Sequence, residues 1–185
     1  MDYSLQQRTE LIIAECMKTS STNPYEIFNI IAHKDFVSTH GPEHHVLDGA
    51  CILTAFYNAG GVVELDAALQ KLMSEGLKMP GAVCGLWGVC GAVMSIGAAL
   101  AIIDGSGPLS TEDWGSHMEY TSQALTRLAK IGGPRCCKRD AFSSMELAIG
   151  YIKKRYGITL DMPHIKCDFA SKNAECIGER CPYNI

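Results

Sequence analysis

Charge is scarce in this sequence. Only 19% of its 185 residues are Asp, Glu, Lys or Arg, and none lies between Lys78 and Asp104. The formal net charge of −4 gives no general attraction to nucleic acid or to an anionic membrane. The first ten residues, MDYSLQQRTE, are polar and carry an acid; no basic segment followed by an apolar one is present, so a cytoplasmic location is expected. Walker A, G-x-G-x-x-G, G-x-S-x-G and His-Glu-x-x-His patterns are all missing, as is an aromatic-basic RNA-binding signature. Those absences leave no support for nucleotide binding, serine-hydrolase, zinc-protease or RNA-binding chemistry.

Apolar residues are plentiful at 47%, which suits a globular core and argues against disorder. The uncharged run from Met79 to Ile103 holds five glycines and two cysteines. Such a run is either a membrane span or a buried central helix. Half of it is Gly, Ala, Ser or Cys, and no second span follows, so a buried helix is expected and no membrane partner. The length fits one domain with a substantial core. It divides into an N-terminal helical extension (1–38), a helical core (39–156) and a cysteine-rich tail (157–185).

Periodicity predicts an all-α bundle of about seven helices around the glycine-rich one. The expected helices run from Leu5 to Met17, from Pro24 to about Lys34, from about Glu43 to Asn58 and from Glu64 to Glu75. Three more follow, from about Trp87 to Ile103, from a cap at Ser110-x-x-Asp113 to Ile131, and from about Lys138 to Tyr156. Asn23-Pro24-Tyr25-Glu26 reads as an N-cap, a proline at the first helical position and a capping-box acid. Gly60-Gly61 and Gly132-Gly133-Pro134 end helices.

Nine cysteines in a chain without a secretory signal point to metal, sulfur or redox chemistry before a disulfide framework. Cys167-x8-Cys176-x4-Cys181-Pro182 places three thiols on irregular chain, where they can converge on one metal. Cys84 and Cys90 are six positions apart, about 600° around a helix, so they meet only if Cys84 precedes the helix. Cys136-Cys137 stand at an expected helix start beside Arg135, Lys138 and Arg139. Helix dipole and cations there favour thiolate, which suits a metal ligand or a catalytic nucleophile, and the three cations could hold an anionic cofactor group. In His40-Gly-Pro-Glu43-His44-His45, His44 shares a helix face with Asp48 and Cys51 and is a candidate metal ligand, as is His45. Cys16 and Cys51 read as core residues.

The ordered segments HGPEHH (His40–His45), PGAVCGLWGVCGA (Pro80–Ala92), GGPRCCKRD (Gly132–Asp140) and CDFASKNAECIGERCP (Cys167–Pro182) resemble an uncharacterised cysteine-rich domain family of anaerobic bacteria and methanogenic archaea. The resemblance spans about Thr39 to Pro182. It implies a domain found alone or joined to methyltransferase-type or radical-SAM-type partners, with His40, His44, His45, Cys84, Cys90, Cys136, Cys137, Cys167, Cys176 and Cys181 as its marked positions. No activity follows from it.

These observations give an expected iron–sulfur protein, of the 4Fe-4S kind, serving electron transfer or a partner enzyme. The alternatives are an enzyme of sulfur or methyl chemistry with Cys136 or Cys137 as nucleophile and a structural zinc, and a zinc-stabilised regulatory module. Thiolates suit iron–sulfur clusters and zinc alike. The tail cysteines are expected to share one centre. Cys84, Cys90 and Cys136 are expected to share another, because an up-and-down helix pair returns the chain to the same end of the bundle.

Overall fold

The computed structural model describes residues 3–184 and is all-helical. Eight α-helices are present among the described residues: α1 Leu5–Cys16, α2 Pro24–Ala32, α3 His44–Asn58, α4 Leu65–Gly76, α5 Val83–Leu86, α6 Gly91–Ile103, α7 Trp114–Ile131 and α8 Cys137–Tyr156. Two short 3₁₀ turns, Ala170–Lys172 and Gly178–Arg180, lie in the tail.

Local chemistry sets several of these boundaries. At α1, the Ser4 hydroxyl accepts the Gln7 amide and the Gln7 side chain accepts the Ser4 amide, a reciprocal cap. At α2, Asn23 Oδ1 accepts the amides of Tyr25 and Glu26 ahead of Pro24, as the sequence suggests. Glu26 does not close the capping box; its carboxylate takes the Ser21 hydroxyl instead. The expected cap of α7 also differs. Ser110 accepts the Gly107 amide, and the Asp113 carboxylate pairs with Arg155 of α8, so neither side chain caps the helix.

The buried centre is a pair of helices. Residues 44–56 of α3 are all buried, and α3 packs most extensively on α6. Gly49 is what lets the two approach: its amide donates to Ser95 Oγ at 2.9 Å, and a Cβ there would stand 2.4 Å from the Ser95 carbonyl oxygen. The glycine-rich run is therefore half interior. Gly91–Ile103 is the buried helix, but the chain before it is a surface loop carrying α5, with Leu86 79% and Trp87 62% exposed. That half carries too few bulky side chains to be drawn into the core. No helix among the described residues is long and apolar enough to cross a membrane. Cys16 and Cys51 are fully buried, as their apolar surroundings predict.

The tail is held as closely as the helices. Cys167 N–H donates to the Tyr183 carbonyl at 2.7 Å, and Tyr25 of α2 donates its hydroxyl to the Lys166 carbonyl at 2.8 Å. The Tyr183 ring packs edge-on against Phe142 of α8. The tail thus lies across the start of α8 and α2.

Gly49→Ala should destabilise the fold by about 1–3 kcal/mol, the usual range for overpacking at a close helix contact. Gly150→Ala, in α8 with open space around it, should be neutral or stabilising. Urea unfolding of both variants checks this; equal stability for the two would contradict the packing described.

Candidate functional site

The functional geometry grows from the first turn of α8. Cys136 is its N-cap and is extended, while Cys137 is the first helical residue. That change of backbone conformation sends the two adjacent side chains into different cavities.

Cys136 faces the tail. Together with Cys167, Cys176 and Cys181 it lines a cavity of about 10 Å³, closed by Phe169, Asn173 and Tyr183. Its sulfur accepts the Arg139 amide at 3.5 Å and the Asn173 side-chain amide at 3.4 Å. The tail turns tightly around this point. Cys176 N–H donates to the Asn173 carbonyl at 3.1 Å, and Cys181 N–H to the Gly178 carbonyl at 2.9 Å.

Cys137 faces inward. It lines a cavity of about 260 Å³ with Cys84, Cys90, His40, His44, His45, Asp48 and Asp140. The glycine-rich loop and the Cys-Cys turn do meet, as expected, but through Cys137; Cys136 belongs with the tail cysteines. The loop that brings Cys84 there holds Ala82 at φ +66°, a left-handed conformation that costs a non-glycine residue about 1 kcal/mol or more. Cys90 is the N-cap of α6, and its thiol donates to Asp140 Oδ2 at 3.8 Å. Outside it, a wider groove of about 670 Å³ is lined by Cys84, Cys90, Leu125, Arg135, Arg139 and Asp140.

His40 ties the two cavities together. Its Nδ1 accepts the Cys137 amide at 3.4 Å, so in the neutral ring Nε2 carries the proton and donates to Asn173 Oδ1 at 2.9 Å. Both nitrogens are engaged, which makes His40 a strut.

Beneath the inner cavity runs a buried relay. Lys138 Nζ, on a residue 1% exposed, donates to the Ser38 carbonyl and to His44 Nε2, both at 2.9 Å. An ammonium can only donate, so His44 is protonated on Nδ1, which faces Asp48 Oδ1 at 3.4 Å. Burial, then the Lys138 charge, push the His44 pKa down to about 3. Burial pushes the Asp48 carboxyl well above the usual range, against the pull of Lys138. His44 lines the cavity but is occupied as a link through both ring nitrogens, whereas Asp48 keeps one oxygen, Oδ2, without a hydrogen-bond partner among the described residues. His45 Nδ1 lies 3.3 Å from the Met79 carbonyl, which leaves Nε2 without a proton, packed over Gly91.

The cations do less for the thiols than their spacing suggests. Lys138 is engaged in the core by the Ser38 carbonyl and His44, and its charge only partly offsets the burial of Cys137. Arg139 Nε binds Asp140 at 3.0 Å and Nη2 binds the Pro134 carbonyl at 3.0 Å. Arg135 pairs loosely with Glu175 at 3.8 Å. Burial accordingly raises the thiol pKa at Cys136, and at Cys137 pushes it up to about 12. Burial raises Cys90 and Cys167 as well. The thiolate expected from the helix start is not favoured without a bound cation. Among the described residues no group of three or more His, Cys, Asp or Glu side chains stands ready to hold a metal ion. Binding one would require the thiols to rotate inward and lose their protons.

Asn173 and Asp140 are the residues that sequence reasoning missed. Asn173 lies in the Cys167–Pro182 segment, but nothing in its spacing shows that it serves a sulfur 37 residues upstream.

A family model describing a family of unknown function, DUF5714, matches residues 12–184. The chain belongs to that family. The match begins well before His40 and so includes the last five residues of α1 and all of α2, helices that pack on α3. No curated protein and no solved structure matches the chain.

Lys138→Met should destabilise the protein by about 1–3 kcal/mol, because the His44 nitrogen and the Ser38 carbonyl are left buried without a donor. Thermal unfolding tests this; an unchanged midpoint would mean that the relay carries no stability.

Proposed function

We propose that this is a metal-binding protein whose principal centre is an iron–sulfur cluster held by Cys136, Cys167, Cys176 and Cys181. The observation that carries the reading is that four thiols, one from the start of α8 and three from the tail, line a single cavity. The donor set is all sulfur, the preference of iron–sulfur clusters, and four cysteines complete a 4Fe-4S centre. Amide donors from Arg139 and Asn173 already point at one of the sulfurs, the kind of hydrogen bond that tunes a cluster's potential. A bound metal would supply the positive charge that keeps these buried thiols deprotonated. The cluster would serve electron transfer or a partner enzyme of methyltransferase or radical-SAM type, in a reducing cytoplasm of an anaerobe.

A second reading, zinc in the same four-thiolate site, is favoured by one observation: the cavity has room for about one water-sized sphere. Raised thiols weigh against Cys136 or Cys137 as a free nucleophile, because the thiolate is the reactive form.

Protein purified without oxygen should carry iron and acid-labile sulfide and absorb broadly in the visible. Cys176→Ser and Cys181→Ser should each lose that centre and expose the tail after Gly157 to protease. A colourless protein with one zinc per chain, lost in the same variants, would move the assignment to zinc. Protein with neither metal, or with metal undisturbed in both variants, would overturn the reading.

A further inference from the structure

We propose that the inner cavity is a second, separate metal site, in which Cys90, Cys137 and Asp48 ligate one divalent ion of the zinc or ferrous class. This inference does not rest on the tail centre. It starts from Asp48. The residue is 0% exposed, it lines the cavity, and its Oδ2 has no hydrogen-bond partner among the described residues. Its other oxygen faces His44 Nδ1, which Lys138 holds from behind. The carboxylate is thus oriented by a charged, buried relay that ends at an unused oxygen. An unpaired carboxylate oxygen in the interior costs free energy unless something binds it.

Two thiols of ligand type line the same cavity and would turn toward that oxygen to share an ion with it. Cys90 and Cys137 line the same cavity as Asp48, and each lies within electrostatic reach of Asp48 and Asp140. Cys90 caps α6 and Cys137 begins α8, so the helix dipoles would add to the pull of a bound cation, which these buried thiols need in order to lose their protons. Two thiolates and a carboxylate match a borderline divalent ion and disfavour calcium or magnesium. Asp140 is already bound to Arg139 and to the Cys90 thiol, and acts as a support. The wall also holds His45 with Nε2 unprotonated.

Three protein ligands leave a fourth position open, the pattern of catalytic zinc sites. The cavity of about 260 Å³ far exceeds an ion and adjoins the outer groove through Cys84 and Cys90. The site therefore has room for a small ligand beside the metal. On binding, the two thiols and the Asp48 carboxyl give the protons they hold to solvent, and the ion takes three anionic donors. The resulting charge of −1 is offset by Lys138 through His44 and by Arg139 through Asp140.

The test uses the full chain, stripped of metal under reducing conditions without oxygen, and Co²⁺ alone as the probe. Wild type should bind Co²⁺ in the inner site with a sulfur-to-metal charge-transfer band and the intense visible bands of low-coordinate Co²⁺. Asp48→Asn, nearly isosteric, and Cys90→Ser should each weaken this site at least 100-fold. Cys176→Ser combined with Cys181→Ser should leave it in place. Circular dichroism of the metal-free variants checks that each is folded. The proposal is overturned if Asp48→Asn and Cys90→Ser both bind Co²⁺ like wild type, or if the tail double variant, folded, binds none. The tail reading fails instead when the tail double variant changes no metal binding at all, so the two failures are distinguishable.

Discussion

The burial of a polar helix start governs this structure. Lys138, Arg139 and Asp140 are all buried, although each carries a charge in water. The interior accepts them only because each finds a partner: Lys138 meets the Ser38 carbonyl and His44, and Arg139 meets Asp140 and the Pro134 carbonyl. Removing one member strands another. Such a network locates the first turn of α8 within narrow limits, and the two cavities are set by where that turn lies.

Two neighbouring thiols then acquire different tasks from backbone geometry alone. An extended N-cap followed by helix sends Cys136 toward the tail and Cys137 toward α3 and α6. His40 joins the Cys137 amide to Asn173, and Asn173 joins the Cys136 sulfur, so the two cavities share a frame of hydrogen bonds. A change at one is positioned to be felt at the other. The tail, which contributes three of the four outer thiols, is bound to α2 and α8 by Tyr25 and Tyr183, which explains how irregular chain can hold sulfurs in place.

Much of this was legible in the sequence, for physical reasons. Long amphipathic periods and chain-breaking glycines mark the helices, and Asn23-Pro24 marks the start of α2 by a mechanism that the structure repeats. The convergence of the tail cysteines on one cavity was legible because no α-helix intervenes to splay them, only two short 3₁₀ turns. The glycine-rich run is misleading, because lack of charge does not ensure burial. Glycine and alanine contribute little apolar area, and Pro80–Val89 stays largely at the surface. The division of Cys136 from Cys137 was hidden, since it depends on where the helix begins to within one residue. The burial of Lys138 was hidden too, because cations at a helix start ordinarily read as solvated. Asn173 and Asp48 acquire their importance only through partners distant in sequence or through an oxygen left unpaired.

The family to which the chain belongs carries no assigned activity, so the proposed function rests on four thiols that line one cavity. Its central claim is that Cys136, Cys167, Cys176 and Cys181 close around one centre. The most direct measurement is anomalous diffraction at the iron and zinc edges from crystals of protein purified and crystallised without oxygen. The account predicts an anomalous peak within the ring of those four sulfurs, strong at the iron edge for a cluster. Four sulfurs clearly resolved with no peak between them, or a peak that binds Cys136 together with Cys84 and Cys90, would contradict it.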